Sequence, residues 1–251
     1  VDSWKLLDGF EIICWDESNC SFDENEFVRK AADEKRWGFL SDYYRLKALY
    51  NIGGIYLDTD VEVFRDFAPL LNQKCFLNFI YDCVVGMGIV GSQPKNPFIF
   101  SLLQLYEKTT FIVSTEKSKF LLTDDGHVIT DKFETNNRYV TSYILKHYPE
   151  FKLNNKYQNL GDFAVYPKEL FEIGTLTKRQ FTIHYATVLW KEGQKLSVRK
   201  RLVNNLYAIP YFGYIIRVLK RKIQYKINNK KLMFYPYQVA QKKGLPMPPI
   251  E

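Results

Sequence analysis

The sequence predicts an α/β protein with a mostly parallel sheet flanked by helices, followed by a basic, largely helical C-terminal region. Three observations carry that expectation. Stretches of helical period alternate with short apolar runs of strand length through the first 190 residues. Hydrophobic residues make up 46% of the 251, enough for one large core. The charge is also unevenly placed: residues 191–251 hold 14 Lys and Arg against 2 Asp and Glu, while the other 190 hold 21 against 26. The expected division is therefore a domain at 1–190 and a basic region at 191–251.

The elements follow in order. The opening residues read as the end of a helix running into a strand, FEIICW at 10–15, so a first strand is expected before Val1. ENEFVRKAADEKRW is a charged helical stretch. GFLSDYYRLKALYNIGG is a helix stopped by Gly53 and Gly54. IYLD and VEVF read as short strands on either side of an acidic pair, and CFLNFIY and VVGMGIVG as two more. NPFIFSLLQLYEK carries Pro97 where a helix starts. EKSKFLLTDDGHVITDKFETNN is polar and reads as loop, RYVTSYILKHYP as a helix, FAVYP and FTIHYA as strands. Beyond Trp190 the pattern is helical and basic, with Pro210 and Gly213 dividing it into two helices.

Composition narrows the function classes. Cys14, Cys20, Cys75 and Cys83 form no zinc-type or CxxC spacing; Cys14 and Cys75 sit in apolar runs as small core residues, which fits a reducing compartment. No run has the length of a transmembrane helix, and no signal peptide is visible. The 18 Tyr and 19 Phe fit a solid core and also suit a carbohydrate-handling protein. No recognisable nucleic-acid motif accompanies the basic region, so nucleic acid is not expected as a partner.

The chemistry concentrates at GGIYLDTDVEV. Asp58 and Asp60 stand in a stretch that otherwise reads as buried strand, and carboxylates are almost never buried without a partner. If the chain stays extended they point to one side. Two adjacent carboxylates repel unless a cation lies between them, and Mg²⁺ or Mn²⁺ is the natural one, since both take oxygen ligands together with substrate phosphates. In the preceding helix, at 100° per residue, Asp42 falls between Leu46 and Leu49 with Arg45 one turn on. That pair reads either as a structural ion pair or as a contact for substrate hydroxyls.

SDYYRLKALYNIGGIYLDTDV resembles the hallmark of the DXD-containing, sugar-nucleotide-using glycosyltransferases of family 32, roughly S-D-x-x-R-x-x-x-L-x-x-x-G-G-x-Y-x-D-x-D. Ser41, Asp42, Arg45, Leu49, Gly53, Gly54, Tyr56, Asp58 and Asp60 fill every fixed position. IHYATVLWK is similar to the family's later His-x-x-x-x-x-Trp element, with His184 and Trp190 in place and Leu189 where a Ser is usual.

The resemblance implies a GT-A type, Rossmann-like fold and a retaining transferase dependent on Mn²⁺ or Mg²⁺. It implies Asp58, Asp60 and His184 as metal contacts, and Asp42, Arg45, Tyr56, Asp58 and Trp190 as donor contacts. Asp58, Asp60, Asp42 and Arg45 would be the catalytic set. No residue stands out as a nucleophile, and attack from the face the leaving group departs from would need none. UDP is the commoner carrier in the family. The capsular-polysaccharide members imply a saccharide or lipid-linked acceptor and a cytoplasmic enzyme at the inner face of a bacterial membrane. A histidine satisfied by local hydrogen bonds is the rival reading of His184.

LYAIPYFGYIIRVLKRKIQYK interleaves apolar residues with Arg217, Lys220, Arg221 and Lys222. It suits either a helix on an anionic membrane surface or a helical cap on the domain. Two rival functions stand beside the transferase. One is a phosphatase of the haloacid-dehalogenase type, for which LLTDDG could supply a second acidic motif; the long helix before the DxD strand and Glu62 two residues past Asp60 do not fit it. The other is an inactive carbohydrate-binding protein of transferase fold.

Overall fold

The computed structural model describes residues 2–113, 119–185 and 212–250. Local signals set the helices. Asn25 caps α1 (Glu26–Asp33) by accepting from the Val28 N–H. Asn96 caps α3 (Pro97–Glu107) in the same way, ahead of Pro97. Helix α2 (Trp37–Ile52) ends at Gly53, whose φ of 72° suits glycine and whose N–H bonds the Leu49 carbonyl. A Cβ at Gly53 would also meet Pro94 at 2.8 Å. The chain therefore turns at once into β1 (Gly54–Leu57).

The central sheet has the order β1–β4–β3–β9–β8, with β3 (Cys75–Tyr81), β4 (Val84–Ser92), β8 (Gln158–Asn159) and β9 (Ala164–Tyr166). A second pair joins β2 (Val61–Val63) to β10 (Thr182–His184). A third, small sheet holds β5 (Thr109–Phe111), β6 (Phe120–Leu122) and β7 (Val128–Thr130). Alternation along the central strands feeds two cores. Leu77, Met87 and Val90 join the main core with α1, α2, α3 and α4 (Asn136–His147). Phe76 and Ile89 face the other way, onto Val61, Val63, Phe67, Phe171 and Phe181.

The α/β class and the mixed sheet hold. The expectation of a mostly parallel sheet does not: among the described residues β3/β9 and β5/β7 are parallel, and the other pairings are antiparallel. The connections explain it. β3 and β4 are joined by a turn too short for a crossover, so they must run antiparallel.

Residues 10–15 form no strand. Ile12, Ile13 and Trp15 are exposed, as is Cys14, which is therefore not a core residue. Strand propensity without a partner does not make a ladder; nearby, Trp4 Nε1 and Ser3 Oγ bond the Val61 carbonyl and the Val63 N–H instead. The stretch expected to be loop contains the β6–β7 hairpin, whose inward Phe120, Leu122 and Val128 are masked in sequence by polar neighbours.

The C-terminal region packs on the body through α5 (Phe212–Asn229) and α6 (Tyr235–Lys243). Tyr225 stacks on Tyr81 at 4.7 Å, and Phe234 and Tyr237 enter the main core. Gly213 stands in the first turn of α5, and the two described helices are separated after Asn229. Pro210, Leu189 and Trp190 lie outside the described residues. Among the described residues no helix is long and apolar enough to cross a membrane.

Candidate active site

Asp58 follows β1 directly, its N–H bonded to the Gly88 carbonyl on β4 at 2.9 Å. The chain then turns, with the Val61 N–H on the Asp58 carbonyl at 3.0 Å, and Asp60 sits in that turn. β10 pairs with β2 so that His184 lies opposite Val61, and the Tyr185 N–H donates to the Asp60 carbonyl at 3.1 Å. Residues more than a hundred positions apart thus converge. His184 Nε2 is 3.1 Å from Asp60 Oδ1 and 3.6 Å from Asp58 Oδ2. One ligand atom from each of the three lies within 4.8 Å of the others.

The donor set fits a divalent cation: two carboxylates and an imidazole, partly open to solvent. The backbone fits as well. A Cβ at Gly88 would stand 2.7 Å from Asp58 Oδ2 and 2.9 Å from His184 Cε1. Only a residue without a side chain lets both groups lie over β4 as they do.

Behind Asp58 is a buried chain of charge. Tyr56, two residues back on the same face, donates to Asp58 Oδ1 at 2.8 Å. The Arg45 guanidinium lies over the Tyr56 ring at 4.4 Å, 3.6 Å from Asp58 and 2.8 Å from Asp42. It also donates to the Met87 carbonyl at 2.8 Å. Asn136 donates to Asp42 Oδ1 at 2.7 Å. The Arg45 and Asp42 side chains are only 4% and 7% exposed. Burial pushes Asp42 up to about 6, although Arg45 and Asn136 oppose it. The geometry matches the ion-pair reading of these two and also places them against the acidic site.

Sequence reasoning missed Glu172. Its side chain is 2% exposed, with Oε2 3.1 Å from His184 Nδ1 and Oε1 accepting from Asn78 Nδ2 at 3.1 Å. Burial works against a charged His184, but the bond to Glu172 and the charges of Glu172, Asp58 and Asp60 outweigh it and raise the imidazole to about 9. The signal was available: LFEIG is another carboxylate inside an apolar run. By contrast Asp124 and Asp125 of LLTDDG engage Lys146 and His127.

Residues 4–77 match the family model described as glycosyltransferase sugar-binding region containing DXD motif. That stretch is similar to a DXD-type glycosyltransferase sugar-binding region. No curated protein and no solved structure matches the chain. The DXD region runs from the N-terminal turn through α2, the acidic turn and β2 into β3. It thus contains Asp42, Arg45, Tyr56, Asp58 and Asp60, while His184, Glu172 and Asn136 come to the site from outside it. Match and geometry together support glycosyltransferase activity in general.

Proposed function

We propose that the protein transfers a sugar from a nucleotide-diphosphate donor to an acceptor hydroxyl, with a divalent cation held by Asp58, Asp60 and His184. The observation that carries this is the meeting of Asp58 and Asp60 of the DXD region with His184 from outside it. When bound, the cation would supply Lewis-acid stabilisation of the departing diphosphate. An imidazole beside two carboxylates favours Mn²⁺ over Mg²⁺.

The chain's own residues then have separable tasks. Asp58 and Asp60 supply anionic oxygen. Tyr56 and Arg45 hold Asp58 Oδ1, Asp42 holds Arg45, and Asn136 holds Asp42. We assign Asp42 and Arg45 to this support, because direct contact with donor-sugar hydroxyls would require uncovering them. Trp190 as a donor contact, UDP as carrier and retention of configuration rest on the family resemblance alone.

The C-terminal region supports a saccharide acceptor carried on a lipid, as in surface-polysaccharide synthesis, and a place at the inner face of the membrane. On α5 the exposed Leu219, Ile223 and Ile227 recur at helical spacing, with Lys220, Lys222 and Lys226 exposed among them. Such a stripe suits an anionic lipid surface.

A panel of nucleotide sugars, scored for donor hydrolysis with Mn²⁺ and again with chelator, tests the reading. Metal-dependent release of a nucleoside diphosphate from one of them is expected. No turnover across the panel, or turnover indifferent to chelator, would overturn it.

A further inference from the structure

We infer that Glu172 is a positioning residue that fixes the His184 ring, so that Nε2 presents its lone pair to the cation. The inference rests on the metal reading above. Four contacts carry it. The carboxylate accepts from His184 Nδ1 at 3.1 Å, and Asn78 Nδ2 donates to its other oxygen at 3.1 Å. The Glu172 carbonyl accepts the His184 N–H at 3.2 Å and an Arg221 Nη1 hydrogen at 3.0 Å. Glu172 thus grips His184 by both side chain and main chain.

The chemistry follows from the tautomer. A neutral imidazole has one N–H and one lone pair. With Nδ1–H committed to a buried carboxylate, the lone pair lies on Nε2, the atom facing Asp58 and Asp60. A carboxylate behind a metal-bound histidine also raises the basicity of the ring. Through Arg221, helix α5 reaches the same residue, and the Arg221 guanidinium lies 5.0 Å from the centre of the Tyr185 ring. The basic C-terminal region therefore buttresses the site as well as capping the fold.

The test titrates Mn²⁺ into the 251-residue chain, following the free-ion signal by electron paramagnetic resonance, for wild type, E172Q, E172A and D60A. E172Q keeps the shape; with its carbonyl oxygen toward Asn78 Nδ2, its amide nitrogen faces His184 Nδ1 in place of the carboxylate oxygen. Mn²⁺ affinity is expected to fall about tenfold in E172Q and about a hundredfold in E172A, the range for partners behind a metal ligand. Metal-free E172Q should keep the fold by circular dichroism. Nitrogen-15 spectra of the Mg²⁺ form should show His184 protonated at Nδ1 in wild type and a mixture in E172A. Unchanged Mn²⁺ affinity in E172Q with a tight wild type would overturn the inference while leaving the metal site standing. A wild type that binds no better than D60A would remove the metal site and this inference with it.

Discussion

The guanidinium of Arg45 reaches Asp58 from the buried side, 3.6 Å from Oδ1, while 2.8 Å from Asp42. One cation so placed serves two carboxylates, one sealed in the core and one at the site. Arg45→Met should strand Asp42 and destabilise the fold by about 3–5 kcal/mol, the usual cost of removing one partner of a buried pair. Arg45→Lys keeps the charge but cannot serve Asp42, Asp58 and the Met87 carbonyl at once. It is expected to fold and to lose about tenfold in turnover, on the scale of one charged hydrogen bond. Chemical denaturation beside donor turnover separates the two effects; a fully active Arg45→Met would refute the arrangement.

Gly88 makes a sharper test of the site's geometry. In Gly88→Ala the new methyl meets Asp58 and His184 closer than real contacts allow, so one of them must move. Overpacking of this kind costs about 1–3 kcal/mol. Mn²⁺ affinity should drop at least about tenfold, with the fold kept by circular dichroism. Equal affinity in the alanine variant would mean that the cation lies elsewhere.

The dependence on pH has a definite sign. In the metal-free protein Glu172, Asp58 and Asp60 hold the proton on His184 to about 9. A cation at Nε2 must displace that proton. Mn²⁺ affinity should therefore rise with pH up to about 9, by about tenfold per unit below it, and level off above. The same raised value means that His184 stabilises the metal-free fold below its unfolded value of about 6.5, an effect lost as pH rises through about 9. Calorimetric titration in buffers of different ionisation enthalpy would count the proton released; a count of zero at pH 7 would contradict this.

The acidic pair, its helix and the glycine stop were legible because each uses local chemistry: a cap, a period, a carboxylate out of place. His184 was reachable through a spacing pattern. Glu172 shows in sequence only as a carboxylate inside an apolar run, and Asn136 not at all, since their partners lie in other elements and no periodicity joins Glu172 to His184 or Asn136 to Asp42. The misread strand at 10–15 failed for a related reason. Its composition suits a sheet, but pairing is a property of the partner, and the described strands offer it none.

The outer face of α5 carries its own prediction. Replacing Leu219, Ile223 and Ile227 by serine should abolish co-sedimentation with liposomes rich in anionic lipid and leave hydrolysis of a soluble donor intact. Charge near such a surface is worth about 1 kcal/mol per lysine, so added salt should weaken binding of the parent chain. Equal sedimentation of parent and triple variant would remove the membrane role.

In the proposed function Asp60 helps hold a cation that carries the sugar diphosphate. The direct measurement is turnover of the best donor by wild type and Asp60→Ala, each with Mn²⁺ and with chelator. Mn²⁺-dependent turnover is expected in wild type, with a loss of at least about a hundredfold in the variant, on the scale of a lost electrostatic contact in a transition state. Turnover in Asp60→Ala equal to wild type and indifferent to metal would contradict it.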